Sequence, residues 1–191
     1  MQINKVDIYT LKIPYHIPTE APIGILTGAD NVVIKITTDT GLEGWGEASP
    51  FGPITGDTQA SNYSMAQTFG RLLIGKDPLG IEARMAQLNR HTTGEPSIHS
   101  AFDMALYDLA AKAANMPLYQ FLGGEVNEQG MHREIRTDLT IGMKKTVEET
   151  LSHAKDILAA GFDSIKMKVG RADLADIEHV QAVRDLAGPK V

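Results

Sequence analysis

The spacing of apolar residues changes character once along the chain, and that change sets the architecture. Before residue 50 the apolar positions alternate: Ile3, Val6, Ile8, Leu11 and Ile13, then Val32-Val33-Ile34-Lys35-Ile36, then Leu42 to Ala48. Period-two patterning broken by turn residues marks strands. The Asp39-Thr40-Gly41 turn is short, so these strands are expected to form a three-stranded antiparallel meander. Strand one should end near Ile13, because Pro14 and Pro18 follow, and residues 15–30 read as a Pro- and Gly-rich loop. Helical spacing then takes over in residues 57–74, in residues 81–90 after Pro78, and from Ser97 onward, with Ser97 as the expected N-cap. In the last of these Phe102, Leu106, Leu109 and Ala113 share a face, with Ala101, Ala105 and Ala110 beside them as a narrow surface for close packing.

Beyond a polar stretch at residues 125–133, strand and helix alternate. Residues 135–141 read as a strand. Thr146 and Glu149 form a capping box for a helix that Gly161 ends. Residues 164–169 are the next strand, Asp173 caps a helix running to Leu186, and Lys190-Val191 reads as the start of another strand. Strands joined through helices pair in parallel. The expected organisation is an α+β domain over residues 1–133, a meander plus helices, followed by two βα units over residues 134–191.

The second strand of that βα segment, Ile165-Lys166-Met167-Lys168-Val169-Gly170, places two lysines at i, i+2. Alternate side chains of a strand point the same way, so Lys166 and Lys168 share a face. At about 6.6 Å between Cα atoms and an effective dielectric of ~20, their charges repel by about 2.5 kcal/mol. Repulsion favours a neutral amine, which is what a general base requires, but desolvation or a nearby metal ion is needed as well. The plain alternative is a pair of solvated lysines on a sheet.

Other chemistries find little support. The net charge of −6, with no basic run longer than Lys144-Lys145, argues against nucleic acid and anionic membranes and for a small-molecule substrate. The chain has no cysteine, so disulfides and thiolate metal sites drop out, in keeping with a cytoplasmic location. No segment approaches membrane-spanning length, and Lys5, Asp7 and Lys12 interrupt any signal-peptide core. The six histidines (16, 91, 99, 132, 153 and 179) lack metal-ligand spacing, and no G-x-S-x-G or Walker-type loop occurs. The glycines of Gly41-Leu42-Glu43-Gly44-Trp45-Gly46 lie within a strand and open no helix, so they serve close backbone packing and not phosphate binding. Asp103 and Asp108, at i, i+5 on their helix, diverge and read as solvated or structural.

Several stretches together resemble the enolase superfamily in its muconate-lactonizing branch: Gly44-Trp45-Gly46-Glu47-Ala48, Ile54-Thr55-Gly56-Asp57, Met104-Ala105-Leu106-Tyr107-Asp108-Leu109, Pro117-Leu118-Tyr119-Gln120-Phe121-Leu122-Gly123-Gly124, Thr137-Asp138-Leu139-Thr140 and the K-x-K strand. Within that branch the chain is similar to the dipeptide epimerases. The resemblance implies an N-terminal capping domain followed by a modified TIM barrel. It also implies Mg²⁺-dependent epimerisation of a dipeptide, begun by removing the proton next to a carboxylate through a metal-held enediolate. Carried over residue by residue, Lys168 matches the base, Lys166 the lysine that supports it and binds carboxylate, and Thr140 a substrate-contacting position at a strand's C-terminal end. The stretch from Tyr15 to Asp30 matches the loop that covers the substrate, with Ile25 and Thr27 as contacts. Epimerases acting on Ala-Glu carry an arginine there, whereas Ile23-Gly24-Ile25-Leu26-Thr27 offers no cation.

The residues after Arg133 suffice for two of the eight βα units of a TIM barrel. The family's acidic metal ligands and its opposing lysine come from later strands, so none is assignable within residues 1–191. The chain therefore reads as the N-terminal part of a longer enzyme, inactive alone and in full a small-molecule isomerase that could associate as a homo-oligomer. Two alternatives stand beside it: a cycloisomerase or o-succinylbenzoate synthase sharing the K-x-K strand, and a catalytically dead binding or structural fragment.

Overall fold

The computed structural model describes residues 1–21, 24–125 and 135–191. It divides into two compact units, Met1–Tyr15 with Gly28–Met131, and His16–Thr27 with His132–Val191. The polar stretch expected to carry the domain boundary falls largely outside the described residues.

A three-stranded sheet of order β1-β2-β3 comprises β1 (Ile3–Ala21), β2 (Gly24–Thr38) and β3 (Glu43–Ala48), and all of it but the hairpin end at residues 16–27 belongs to the first unit. β2 and β3 pair antiparallel, with Ile34 opposite Gly46 and Ile36 opposite Gly44. The meander is as expected, but its first hairpin is far longer. Residues 15–30 are mostly strand, not loop, and Pro14 and Pro18 lie inside β1. The reason is position: β1 is an edge, where alternate N–H groups face away from the partner strand, so prolines of one parity remove no ladder bond.

The helices read over residues 57–74 and 81–90 fall where expected, two short helices carry no sequence signal of their own, and the start of the helix expected from Ser97 depends on a distant group. A single turn, α1 (Gly52–Thr55), precedes α2 (Gln59–Leu73), where Thr58 accepts from the Ser61 amide and completes a capping box with the Ser61 side chain. α3 spans Ile81–His91. α4 (Pro96–Ala113) starts one residue before Ser97, and its N-cap Glu95 has φ 60 with no side-chain cap. Asp57 does the capping instead, accepting the Ser97 amide at 3.1 Å and its hydroxyl at 3.2 Å. A short α5 (Leu118–Phe121) follows.

α4 packs on β3 so closely that only glycine fits opposite it. A Cβ on Gly46 would lie 1.9 Å from the Ala101 carbonyl oxygen, and one on Gly44 2.2 Å from that of Ala105. This is the role expected of the glycine run. Phe102, Leu106 and Leu109 of α4 are fully buried against Val32, Ile34 and Ile36, each contributing about 1.5–3 kcal/mol of burial. Ala113 stays exposed. Asp108 proves structural: it accepts the Trp45 amide at 2.9 Å and the Lys112 ammonium at 2.7 Å, while Lys112 also donates to the Glu43 carbonyl. Helix side chains thereby occupy the open edge of β3.

In the second unit β4 (Leu139–Ile141) and β5 (Ile165–Met167) pair in parallel, with α6 (Val147–Ala159) between them and α7 (Asp176–Ala187) after. Two βα units are present, as expected, with shorter strands. Residues 135–138 are outside β4 and Ile135 is 89% exposed. Thr146 caps α6 by accepting from the Glu149 amide, but the Glu149 carboxylate returns to the Lys145 amide, so the capping box is shifted by one residue. Asp173 does not cap α7; it accepts the Ala175 amide in the preceding turn, and Ala175 is the N-cap. Lys190 and Val191 form no strand. Ile141, Ala154, Ile157 and Val183 make this unit's core.

Candidate active site

β5 presents two chemically opposite faces because strand side chains alternate. Ile165 and Met167 turn toward the core of α6 and α7. Lys166 and Lys168 take the other parity and are exposed. Across the ladder Thr140 is the Cα partner of Lys166, and pairing extends one step past β5, where the Lys168 amide donates to the Ile141 carbonyl at 3.0 Å. Thr140 and Lys166 are thus side by side on one face, with Lys168 following at the C-terminal end. Ile25, 66% exposed, and Thr27, also exposed, lie at the far end of the hairpin in the same compact unit, on a separate segment of chain.

The loop that follows Lys168 is held by groups that the sequence reading did not single out. Gly170 has φ 129, a conformation open to glycine and strained for other residues. Asp176, the first residue of α7, accepts the amides of Gly170 at 2.6 Å and Arg171 at 2.7 Å. Those two backbone bonds hold its carboxyl below the usual range despite some desolvation, with the Arg171 charge assisting. Arg171 directs its Nε toward Asp176 at 3.6 Å, its Nη1 to His179 Nε2 at 3.2 Å and its Nη2 to the Lys144 carbonyl. A guanidinium only donates, so His179 Nε2 accepts and the ring proton sits on Nδ1, bonded to Thr150 Oγ1 at 2.7 Å. Asp176 and His179 at i, i+3 on one helix face were the available signal.

No group of three or more His, Cys, Asp or Glu among the described residues could hold a metal ion. No helix among the described residues is long and apolar enough to cross a membrane.

Residues 4–123 match the mandelate racemase/muconate lactonizing enzyme N-terminal domain. Over its whole length the chain is 35% identical to a D-Ala-D/L-Ala epimerase of Cytophaga hutchinsonii, covering 50% of that protein. Over 98% of its length it is 34% identical to a hydrophobic dipeptide epimerase of Enterococcus faecalis, covering 51% of it. The crystal structure of the Cytophaga hutchinsonii dipeptide epimerase, complexed with Mg and D-Ala-L-Val, superposes with a TM-score of 0.92 over all of this chain and 50% of its own. The chain spans about half the length of these relatives. With a glycine-lined meander packed on α4, two parallel βα units and the K-x-K strand in place, the chain belongs to the mandelate racemase/muconate lactonizing enzyme family of the enolase superfamily.

Proposed function

We propose that this chain supplies the capping domain (residues 1–133) and the first two βα units (134–191) of a TIM-barrel dipeptide epimerase. The observation that carries the reading is the face of the β4–β5 pair that half-buried Thr140 shares with exposed Lys166 and Lys168. Lys168 is assigned as the base: the bond between the α-carbon and its hydrogen breaks, a new N–H bond forms, and the electron pair moves into the adjacent carboxylate. Lys166 binds that carboxylate and Thr140 contacts the substrate. A proton then returns to the opposite face from an acid that is not assigned within these residues. Mg²⁺, present in the relatives' structures, is the cofactor in this reading; when bound it would offset carboxylate charge, and its ligands are not among the residues described here.

The hairpin end carrying Ile25 and Thr27 sets specificity. No cation occurs in residues 23–27, and an unpaired buried carboxylate costs several kcal/mol, so the second residue of the dipeptide is read as apolar or otherwise not acidic. The negative net charge fits a small-molecule enzyme that binds neither nucleic acid nor membrane, working in the cytoplasm and open to homo-oligomeric assembly. The test is a dipeptide panel on the protein with its complete barrel: kcat/KM should be highest for an apolar second residue, and highest activity on Ala-Glu, or lactonization of muconate in place of epimerisation, would refute it.

A further inference from the structure

We infer that Arg171 is a positioning residue for Lys168, clamping the loops that follow β4 and β5 into one arrangement. This rests on the reading of Lys168 as the base. The need for a clamp is local. Lys168 lies one residue past β5, its amide donates to the Ile141 carbonyl, and two residues further on Gly170 turns the chain with φ 129. The direction in which the backbone leaves Lys168 is therefore set at that turn.

Arg171 and its partners hold that turn. One guanidinium reaches three places: the Asp176 carboxylate at the start of α7, the ring of His179 one turn along, and the Lys144 carbonyl in the loop between β4 and α6. The same Asp176 carboxylate binds the two amides that come two and three residues after Lys168. His179 passes the constraint on to Thr150, whose hydroxyl donates to the Thr146 carbonyl at the start of α6. His179 is 7% exposed, and the side chains of Arg171 and Asp176 are 20% and 15% exposed, so these are held groups and not a solvated surface pair. The fork is specific to arginine, because an ammonium cannot span three divergent acceptors with planar donors.

The experiment compares wild type, Arg171→Met, Arg171→Lys and Val183→Ala in the protein with its complete barrel. Val183→Ala is the control, a core change in the same unit that touches none of these bonds. Kinetics on the preferred dipeptide, thermal unfolding and amide hydrogen exchange are read for each. Arg171→Met should lower kcat by about 10²-fold with KM near wild type, and Arg171→Lys should recover part of the loss. Both loop segments, residues 142–146 and 168–174, should exchange faster in Arg171→Met. Val183→Ala should lower the thermal midpoint but leave kcat intact. Unchanged kcat in Arg171→Met, unchanged exchange in the two loops, or a kcat loss matched by Val183→Ala would overturn the inference. If wild type turns over no dipeptide, the epimerase reading fails by itself, and loop exchange still decides whether the clamp exists.

Discussion

Lys166 stands directly across the parallel β4–β5 ladder from Thr140, so a hydroxyl and an ammonium group share one face in the middle of the pair. Lys168 follows at the next position of the same parity, where its amide still engages Ile141. The arrangement separates two roles, one lysine inside the ladder and the other just past it. Lys166→Ala should therefore raise KM for the dipeptide more than it lowers kcat. Steady-state kinetics check this, and an unchanged KM with a collapsed kcat would reassign the base to Lys166.

Gly46 faces the Ala101 carbonyl with no room for a methyl group. Gly46→Ala should destabilise the first unit by about 3 kcal/mol, since the obstruction is backbone and cannot rotate away. Gly52→Ala, where the nearest atom is 3.7 Å from the added carbon, should stay within about 0.5 kcal/mol of wild type. Urea denaturation followed by circular dichroism measures both.

Asp57 gives the stability a definite pH dependence. It is 2% exposed, and burial alone would raise its pKa. Hydrogen bonds from the side chains of Thr55, Asn62 and Ser97 and from the Ser97 amide outweigh burial and leave the carboxyl below its ordinary value. A depressed folded-state pKa contributes stability that is fully present above the unfolded value of about 3.9 and is lost as pH falls through the folded value. The stability difference between wild type and Asp57→Asn should thus be constant from neutral pH down to about pH 5 and shrink at more acid pH. Thermal midpoints across that range test it; a difference that grew on acidification would contradict the assignment.

The sequence revealed what local patterning controls and hid what distant groups decide. The alternation of Val32, Ile34 and Ile36, the Phe102-Leu106-Leu109 face and the shared parity of Lys166 and Lys168 depend only on spacing, and all appear in the fold. Pro14 and Pro18 misled because a proline's cost depends on whether its strand is an edge, which is a property of the sheet. Ser97 resembled an N-cap, yet the group that satisfies the start of α4 is Asp57, forty residues earlier. Asp176 and His179 share a helix face at i, i+3, but Arg171 lies in the preceding loop at a spacing that matches no motif, so its meeting with them became visible only in three dimensions.

Residues 1–191 alone should show no epimerase activity with added Mg²⁺, since among the described residues no acidic or histidine cluster could hold the ion. Turnover of any dipeptide by this segment would require a metal-independent mechanism that the proposed one does not contain.

The most direct measurement is α-hydrogen exchange in D₂O, followed by ¹H NMR on the preferred dipeptide, for wild type and Lys168→Ala in the protein with its complete barrel. Exchange reports removal of the proton itself and is independent of how the product is released. Lys168→Ala should lose exchange at the stereocentre that Lys168 faces, by at least about 10²-fold, while remaining folded. Wild-type exchange rates in Lys168→Ala would contradict the assignment of Lys168 as the base.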